Sequence, residues 1–223
     1  MEVSGGRALM VITDGRECLF RTLKSARDYL PAFDRYVLIN DCPDPGFGES
    51  VQMAWGEFEI VPPRRERRGF GGAIQAGWDV ISEMDVDYVF HLEDDFVFNR
   101  DVDLDAMARL LTRSPSVAQV VLRRQAWGPR EVEAGGVVEV WPDEYVDQDR
   151  WGLQWLQHDL YFSTNPSLYR RELLGLGWPT GSNSEARFTE ELVAAGRHFA
   201  FWGRRTDEPW VTHIGEERTG VGY

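Results

Sequence analysis

The chain has 223 residues, enough for one domain with a sizeable core, and its composition of 43% hydrophobic and 27% charged residues is that of an ordinary soluble protein. The formal net charge of −13 argues against a nucleic-acid-binding protein, because such proteins need a basic surface to displace phosphate counterions. No apolar run approaches the roughly 18 residues of a membrane span, and the N-terminus lacks a signal-peptide pattern. We therefore expect a cytoplasmic protein.

Strands and helices alternate along the first half of the chain. Leu19, Leu23 and Ala26 recur at helical spacing, and Pro31 ends that helix. A dense turn signal occupies residues 40–46. The predicted order is strand, helix, strand, helix, strand, over residues 7–13, 19–30, 36–39, 71–84 and 87–92. This alternation predicts a parallel sheet with helices on its faces.

The second half is less regular, and its periodicity is weak over residues 127–161. The sequence beyond position 215 is polar and Gly-rich, which indicates a loop that orders on ligand binding. Helices are predicted at 104–111, 171–174 and 185–195, and strands at 117–122, 162–169, 199–202 and 210–213. We see no internal repeat and no linker, so we expect a single domain.

Polar and acidic residues follow each of the first three predicted strands. These ends carry Thr13-Asp14, Asn40-Asp41 and the acidic triplet Glu93-Asp94-Asp95. Ligands of open α/β sheets bind beyond the carboxyl ends of the strands, where the loops converge. The sequence therefore predicts one polar site at this edge of the sheet.

The acidic triplet directly follows the apolar strand that begins near Tyr88. Three neighbouring carboxylates repel one another unless a positive charge lies among them, and Mg²⁺ or Mn²⁺ favours carboxylate oxygens together with substrate phosphates. The competing interpretation is a solvated acidic turn, which is common in acidic proteins. We favour the metal site, because an apolar strand delivers these acids into a loop.

The arginine run and the two cysteines each allow a structural interpretation beside a functional one. Arg64, Arg65, Arg67 and Arg68 form a cationic run that is either a solvated loop or a site for a small anion such as a pyrophosphate. The two cysteines, at positions 18 and 42, fall in different elements without metal-ligand spacing. They indicate reduced thiols near a core, with neither a zinc site nor a disulfide framework.

The segment from Asp87 to Phe98, with its three acids after an apolar strand, resembles the aspartate-x-aspartate region of the GT-A glycosyltransferases, particularly the family-two-type enzymes. The resemblance implies an α/β three-layer sandwich with a mostly parallel central sheet. It divides the domain into a nucleotide-binding half at about 7–100 and an acceptor half at about 101–223. It also implies Mn²⁺ or Mg²⁺ on the diphosphate of a nucleoside-diphosphate sugar, with Asp95 as the direct ligand and Glu93 as the first acid of the motif.

Further segments extend the resemblance over most of residues 7–202. The strand end at residues 38–41 is similar to the one that contacts the nucleoside, which places Asp41 there. Residues 68–75 are similar to the family's Gly-rich turn and helix start, although Ile74 and Gln75 stand where that family has Arg and Asn. The donor contacts that the resemblance implies are Thr13, Asp14, Arg16, Asp41, Arg67, Arg68, Gln75 and Asp94.

Transfer with inversion requires a base that takes the proton of the attacking hydroxyl. Related enzymes place this acid at the start of a helix that ends in an Ala-Gly pair, here residues 195–196. Glu185 is therefore the expected base, with Asn183 or Ser184 as the helix cap. The plainer interpretation of Glu185 is a favourable acid in the first turn of a helix.

Other candidates lie near the C-terminus. Glu190 and Glu191 compete with Glu185 as the base, although we expect them to face solvent. His213 ends a short apolar strand, where a lone histidine is more often structural than a ligand. It also lies in the region where several GT-A enzymes have a histidine that completes the metal site or contacts the diphosphate. Arg218 lies in the next loop and is a candidate to close over the phosphates.

The nine tryptophans are a heavy load for this length, and most are expected to fill the core. Four in the second half are candidates to line a sugar pocket: Trp127, Trp151, Trp155 and Trp178. The histidines at 91, 158 and 198 show no functional constellation, and His91 is expected in the core.

The leading hypothesis is a hexosyltransferase that moves a sugar from its nucleotide to a hydroxyl on a protein, glycan or lipid. Small proteins of this pattern also resemble transferases encoded by bacteriophages of actinobacteria, which would place the chain in the host cytoplasm. The alternatives are a sugar nucleotidyltransferase, for which residues 13–16 are too poor in glycine, and a non-catalytic carbohydrate-binding protein with the same fold.

Overall fold

The computed structural model describes residues 5–62 and 67–215. The strands in these ranges are β1 (Arg7–Thr13), β2 (Arg35–Asn40), β3 (Glu59–Val61), β4 (Tyr88–Glu93), β5 (Phe96–Phe98), β6 (Val117–Val121), β7 (Val146–Arg150), β8 (Leu153–His158), β9 (Ser167–Arg170), β10 (His198–Trp202) and β11 (Val211–His213). The α-helices are α1 (Cys18–Tyr29), α2 (Pro45–Ala54), α3 (Gly69–Ser82), α4 (Leu104–Arg113), α5 (Gly128–Ala134), α6 (Val137–Val140) and α7 (Ser184–Ala194). Two 3₁₀ helices span Pro142–Glu144 and Arg171–Leu176.

Among the described residues, nine strands form one sheet in the order β3-β2-β1-β4-β9-β6-β10-β8-β7. The neighbours among β3, β2, β1 and β4 are parallel, and β6 is parallel to β10. Strand β9 is antiparallel to β4 and β6, and β8 is antiparallel to β10 and β7. Seven of these nine strands therefore share one direction, and the mostly parallel sheet predicted from the sequence is confirmed.

The sheet is the middle of three layers. Alternate residues of β1 separate its two faces: Leu9 and Val11 pack with α1, α2 and α4, whereas Met10 and Ile12 pack with α3 and α7. Both faces are covered by apolar side chains, since period-two alternation in a strand sends successive residues to opposite sides. The strand ends are left as the open edge of this sandwich.

In the first half the predicted strands and helices are confirmed, and three elements were missed: α2, β3 and β5. The turn signal at residues 40–46 is in part a helix start, because Asp44 accepts a hydrogen bond from the Gly46 amide and Pro45 occupies the first turn of α2. Proline is favoured at that position, where its missing N–H costs nothing. The short strand β3 follows α2 and pairs with β2.

The second half corrects more of the prediction. The strand expected over 162–169 is limited to β9, since residues 162–166 are irregular. The weakly periodic stretch from Trp127 to Tyr161 contains α5, α6 and the antiparallel pair β7–β8. Strand β7 is an exposed edge strand, with the sequence VDQDR, so it lacks the apolar alternation that reveals a strand.

Two short strands lie outside the main sheet. Strand β5 begins just after the acidic triplet and pairs antiparallel with β11, so that Phe96 is opposite His213. The backbone bond from Ile214 N to Asp95 O, 2.7 Å, continues this pairing to the acids. This β5–β11 ribbon brings the end of the described chain to the carboxyl end of β4. None of the helices in the described ranges is both long and apolar enough to cross a membrane.

Candidate active site

The first three parallel strands end side by side. In the register of the sheet, Thr13 of β1 lies opposite Asn40 of β2, and Ile12 lies opposite Glu93 of β4. The polar residues that follow these strands therefore meet at one edge, as expected for the carboxyl ends of parallel strands.

Asp94 is a fixed, buried member of this group. Its carboxylate accepts a hydrogen bond from Thr13 Oγ1 at 2.6 Å and another from Arg16, and its carbonyl accepts one from Thr22 Oγ1 at 2.8 Å. Burial raises the pKa of Asp94 to about 6, although Arg16 and Thr13 oppose the shift. Thr13, expected at the nucleoside, is thus engaged with Asp94.

Arg16 lies among the acids as their cation. Its guanidinium donates to Asp95 Oδ2 at 2.6 Å and to Asp94, and its Nε lies 3.3 Å from Asp14 Oδ1. Burial opposes its charged form, but Asp94 and Asp95 outweigh that cost and raise the pKa of Arg16. Part of the repulsion that predicted a metal ion is therefore neutralised by the protein itself.

Asp95 meets His213 across 118 residues of sequence. The distance from His213 Nε2 to Asp95 Oδ2 is 3.0 Å. Burial favours a neutral Asp95 carboxyl, but the hydrogen bond with His213 and the charge of Arg16 lower its pKa. Asp95 is thus held as a carboxylate.

The position of His213 is set by two neighbours from the loop after β6. The Gln125 side-chain amide pairs with the His213 backbone on both sides, accepting from its N–H at 2.8 Å and donating to its carbonyl at 2.9 Å. The Trp127 ring packs edge-on against the imidazole, with 4.2 Å between ring centroids.

Asp95 and His213 have the donor set for a divalent ion that also binds phosphate. Asp95 Oδ1 is buried and has no hydrogen-bond partner within the described part of the chain, and His213 faces the same carboxylate with its Nε2. In residues 5–62 and 67–215 no cluster of three or more metal-ligating side chains is present. Two ligands suit Mg²⁺ or Mn²⁺ when substrate phosphates complete the coordination, so the residues fit such a group.

Glu185 lies at the start of α7 on the other side of Glu93. Its Oε1 accepts two hydrogen bonds from Thr164, from the amide and from the hydroxyl, both at 3.0 Å. Burial raises the pKa of Glu185, although Thr164 opposes the shift. Burial and the nearby charges of Asp95 and Glu185 raise the pKa of Glu93 well above its ordinary value. The expected base is therefore brought to the acidic triplet.

Glu185 also lines two cavities. The larger, about 480 Å³, extends past Phe70, Asn183 and Glu190. The smaller, about 280 Å³, extends past Arg124 and Glu131. A carboxylate between two cavities can contact a substrate in either one.

No protein-family model and no curated protein matches this sequence. Among solved structures, GalNAc-T7, crystallised with UDP, GalNAc and Mn²⁺, superposes with a TM-score of 0.64 over 98% of this chain and 45% of its own, at 12% identity. Staphylococcus aureus TarS, as residues 1–349, matches with a TM-score of 0.62 over 94% of this chain and 60% of its own, at 13% identity. The chain has the GT-A fold. It spans about half the length of these glycosyltransferases.

Within this GT-A fold, the remaining donor-site candidates are engaged in structural contacts. Asp41 accepts from the amides of Arg68 and Gly69, at 2.8 and 3.0 Å, and so caps the start of α3. Gln75 accepts from the Trp178 amide at 2.6 Å, and its amide nitrogen donates to a neighbouring aspartate of α3. Their expected contacts with a donor stay predictions.

The cationic run is described only in part. Arg67 is exposed and lies 3.5 Å from Asp14 Oδ2, so it extends the polar edge towards solvent. Arg68 Nη2 donates to the Pro62 carbonyl at 2.7 Å. Arg64, Arg65, Arg218 and the tail after position 215 lie outside the described residues.

The other candidates fall away from the acids. Glu190 and Glu191 are exposed on α7, and Asn183 occupies the N-cap position of α7 without a side-chain capping bond. His91 and His158 are buried, and burial lowers the pKa values of their imidazoles to about 3 and about 4.

The candidate tryptophans differ in their burial, and both cysteines are reduced. Trp155 and Trp178 are buried, whereas Trp151 is half exposed and stacked on Trp155. Cys18 and Cys42 are free thiols, and burial raises the pKa of Cys18 to about 11.

Sequence reasoning missed Gln125, Thr164 and the role of Arg16 as a partner of the acids. Arg16 had a usable signal, because it is the first cation after a strand whose end was assigned to the site. Gln125 and Thr164 had none, since each acts through two hydrogen bonds to a segment that is distant in sequence.

Proposed function

We propose that the chain is a metal-dependent glycosyltransferase that moves a sugar from a nucleoside-diphosphate sugar to an acceptor hydroxyl with inversion. One observation carries the proposal: the pairing of Asp95 with His213 at 3.0 Å, close to the raised-pKa carboxyls of Glu93 and Glu185. This pairing occurs at the ligand-binding edge of a GT-A fold.

Asp95 and His213 would hold Mn²⁺ or Mg²⁺, and when bound the ion supplies Lewis-acid stabilisation of the departing diphosphate. Arg16, which donates to both Asp94 and Asp95, keeps the carboxylates in place and adds a cation beside the phosphates. Its fork-shaped guanidinium suits phosphate oxygens as well as carboxylates.

Glu185 takes the proton of the attacking hydroxyl. Thr164 donates both of its bonds to Oε1, which leaves Oε2 for the substrate. The raised pKa makes this carboxylate a stronger base than an exposed glutamate, because a base is most effective when its pKa lies near the working pH. Burial, together with the charges of Asp95 and Glu185, raises the pKa of Glu93 further, which disfavours a second negative charge beside Glu185.

The test is calorimetric titration of the protein with uridine, guanosine and thymidine diphosphates, with and without Mn²⁺. We expect one nucleotide to bind only when Mn²⁺ is present, and Asp95→Asn to remove that binding. Turnover that persists in a chelator would contradict the proposal. Release of pyrophosphate from a sugar phosphate and a nucleoside triphosphate would instead identify a nucleotidyltransferase. Saccharide binding without metal-dependent nucleotide binding would identify a carbohydrate-binding protein.

The acceptor, the cytoplasmic location and the phage origin stay predictions. A chain of this fold with a family-two-type acidic motif is proposed here to act in the cytoplasm, where nucleotide sugars are available as donors.

A further inference from the structure

The smaller cavity beside Glu185 differs from the rest of the site in its chemistry. We call it the Trp141 cavity, and its volume is about 280 Å³. The lining residues that matter here are Arg124, Glu131, Trp141, Tyr161, Asn165 and Glu185. The lining includes Glu185, which lies near Glu93, but neither Asp94, Asp95 nor the residues at the ends of β1 and β2.

One wall of the Trp141 cavity is an exposed indole. Trp141 is 41% exposed, although burial of so large an aromatic ring would stabilise the fold. Arg130 lies over this ring, with its guanidinium carbon 4.7 Å from the ring centroid, and so restrains it. A restrained and partly exposed indole that lines the same cavity as a catalytic candidate suits the apolar C–H face of a sugar ring.

The polar groups of the Trp141 cavity come from an ion pair, in contrast to the apolar indole. Arg124 donates to both oxygens of Glu131, from Nη1 at 2.6 Å and from Nη2 at 3.0 Å, and both side chains are largely buried. Glu131 is also fixed by the Trp127 amide at 2.7 Å. Such a preorganised pair offers both donors and acceptors in fixed positions, which is what the vicinal hydroxyls of a sugar require.

We propose that the Trp141 cavity binds the acceptor, and that the acceptor is a pyranose ring of a saccharide. The inference rests on the proposed transferase function and deepens it by naming the acceptor class. The volume lies near the lower limit of about 300 Å³ for small-molecule sites, which suits one sugar ring better than a peptide or a lipid chain.

The bound acceptor is placed for one balanced transfer. Its hydroxyl oxygen forms a bond to the anomeric carbon of the donor sugar, and the bond from that carbon to the phosphate oxygen breaks. The electron pair leaves with the nucleoside diphosphate, and the hydroxyl proton passes to Oε2 of Glu185. Glu185 reaches this acceptor because it lines the Trp141 cavity.

The experiment compares acceptors and variants. Donor consumption is measured with methyl glycosides of glucose, galactose and N-acetylglucosamine, with a Ser/Thr peptide, and with a micellar polyprenol. We expect at least one glycoside to be the acceptor. Trp141→Ala should raise the acceptor KM about tenfold, the upper range for loss of an aromatic contact. The donor KM should change by less than twofold, and Trp141→Phe should recover most of the affinity.

Two matched controls complete the design. Trp151 is 49% exposed and absent from the lining of the Trp141 cavity as described, so Trp151→Ala should leave the acceptor KM within twofold. Glu190→Gln tests the larger cavity and should also leave the acceptor KM within twofold.

The inference is overturned if only the peptide or the polyprenol accepts sugar, or if Trp141→Ala raises the donor KM as much as the acceptor KM. It is also overturned if Trp141→Ala leaves the acceptor KM within twofold, and an increase in Glu190→Gln would then place the acceptor in the larger cavity. Metal-dependent nucleotide binding with any of these results would leave the transferase function standing, whereas its absence would remove that function first.

Discussion

The two sides of the acidic site treat their carboxyl groups in opposite ways. On one side, Arg16 and His213 surround Asp95 and lower its pKa. On the other side, burial dominates, and the pKa values of Glu93 and Glu185 are raised. Two environments that move the pKa values of neighbouring acids apart separate a permanent anion from a proton acceptor.

This division assigns different chemistry to each side. The permanent carboxylate Asp95 suits a cation, whether a metal ion or Arg16, at any physiological pH. Glu185 is bonded to neutral Thr164 rather than to a cation, so it can gain a proton at moderate cost. Loss of either side should therefore have a distinct signature.

The largest effect is expected from Asp95→Asn. Because the Lewis acid supplies several kcal/mol of stabilisation, we expect turnover to fall by about a thousandfold or more, together with Mn²⁺-dependent nucleotide binding. Steady-state assays and calorimetry measure the two losses. Asp28→Asn removes an exposed charge from α1 and should change neither. Full Mn²⁺-dependent nucleotide binding by Asp95→Asn would contradict the role of Asp95 as a metal ligand.

Glu185→Gln should affect only the proton-accepting side. We expect kcat to fall by about a hundredfold or more, the usual contribution of a general base, while Mn²⁺-dependent nucleotide binding is retained. Glu190→Gln and Glu191→Gln, which alter exposed carboxyls on the same helix, should retain at least half of the activity. Equal losses in all three variants would show that the charge of α7, and not a base, is responsible.

The pH profile sharpens the same contrast. Glu185 must be ionised to accept a proton, so kcat/KM should fall about tenfold per pH unit below its pKa and level off above it. Because burial raises this pKa, the inflection should lie above the ordinary glutamate value of about 4.3. Thr164→Val removes a hydroxyl that stabilises the carboxylate, so the inflection should move to higher pH. An unchanged inflection in Thr164→Val would show that a group other than Glu185 sets the pH profile.

The smallest effect is expected from Arg16→Gln, which removes the cation beside Asp94 and Asp95. Asp94 and Asp95 then lose their partner, and we expect the free energy of unfolding to fall by about 2 kcal/mol, reduced because Arg16 is partly exposed. The loss should be larger at pH 8 than below pH 6, where Asp94 takes up a proton. Urea unfolding measures it, with Lys24→Gln as the exposed control. Added Mn²⁺ should restore part of the stability, and no restoration would contradict a shared cation site.

The sequence predicts the regular half of the fold because its signals are local. β1, β2 and β4 are apolar runs that end in turn residues, and each is confirmed. Strand β7 escapes prediction because it is an edge strand whose pairing with β8, rather than its own side chains, makes it extended. Propensity describes a segment, whereas an edge strand depends on its neighbour.

The site residues likewise fall into two groups: those that a local sequence pattern reveals and those that depend on pairing between distant segments. The acidic triplet is visible in the sequence because three charges follow an apolar strand. The pairing of Asp95 with His213 depends on the β5–β11 ribbon, whose three residue pairs join distant segments, and no periodicity encodes it. Arg16 was expected at the donor, and its place directly after β1 was the available signal that it would instead be a partner of the two carboxylates.

The β5–β11 ribbon has a consequence for how activity can be lost. It contributes three residue pairs, and Phe96, Phe98 and Val211 of the ribbon are buried in the main core, whereas Gly215 lies beyond its last pair. Gly215 lies so close to Asp95 that an added Cβ would collide with the carboxylate and with Arg16. Substitutions of Gly215 should therefore displace Asp95 and Arg16 while the nine-stranded sheet stays paired, so we expect such variants to fold but to lose turnover.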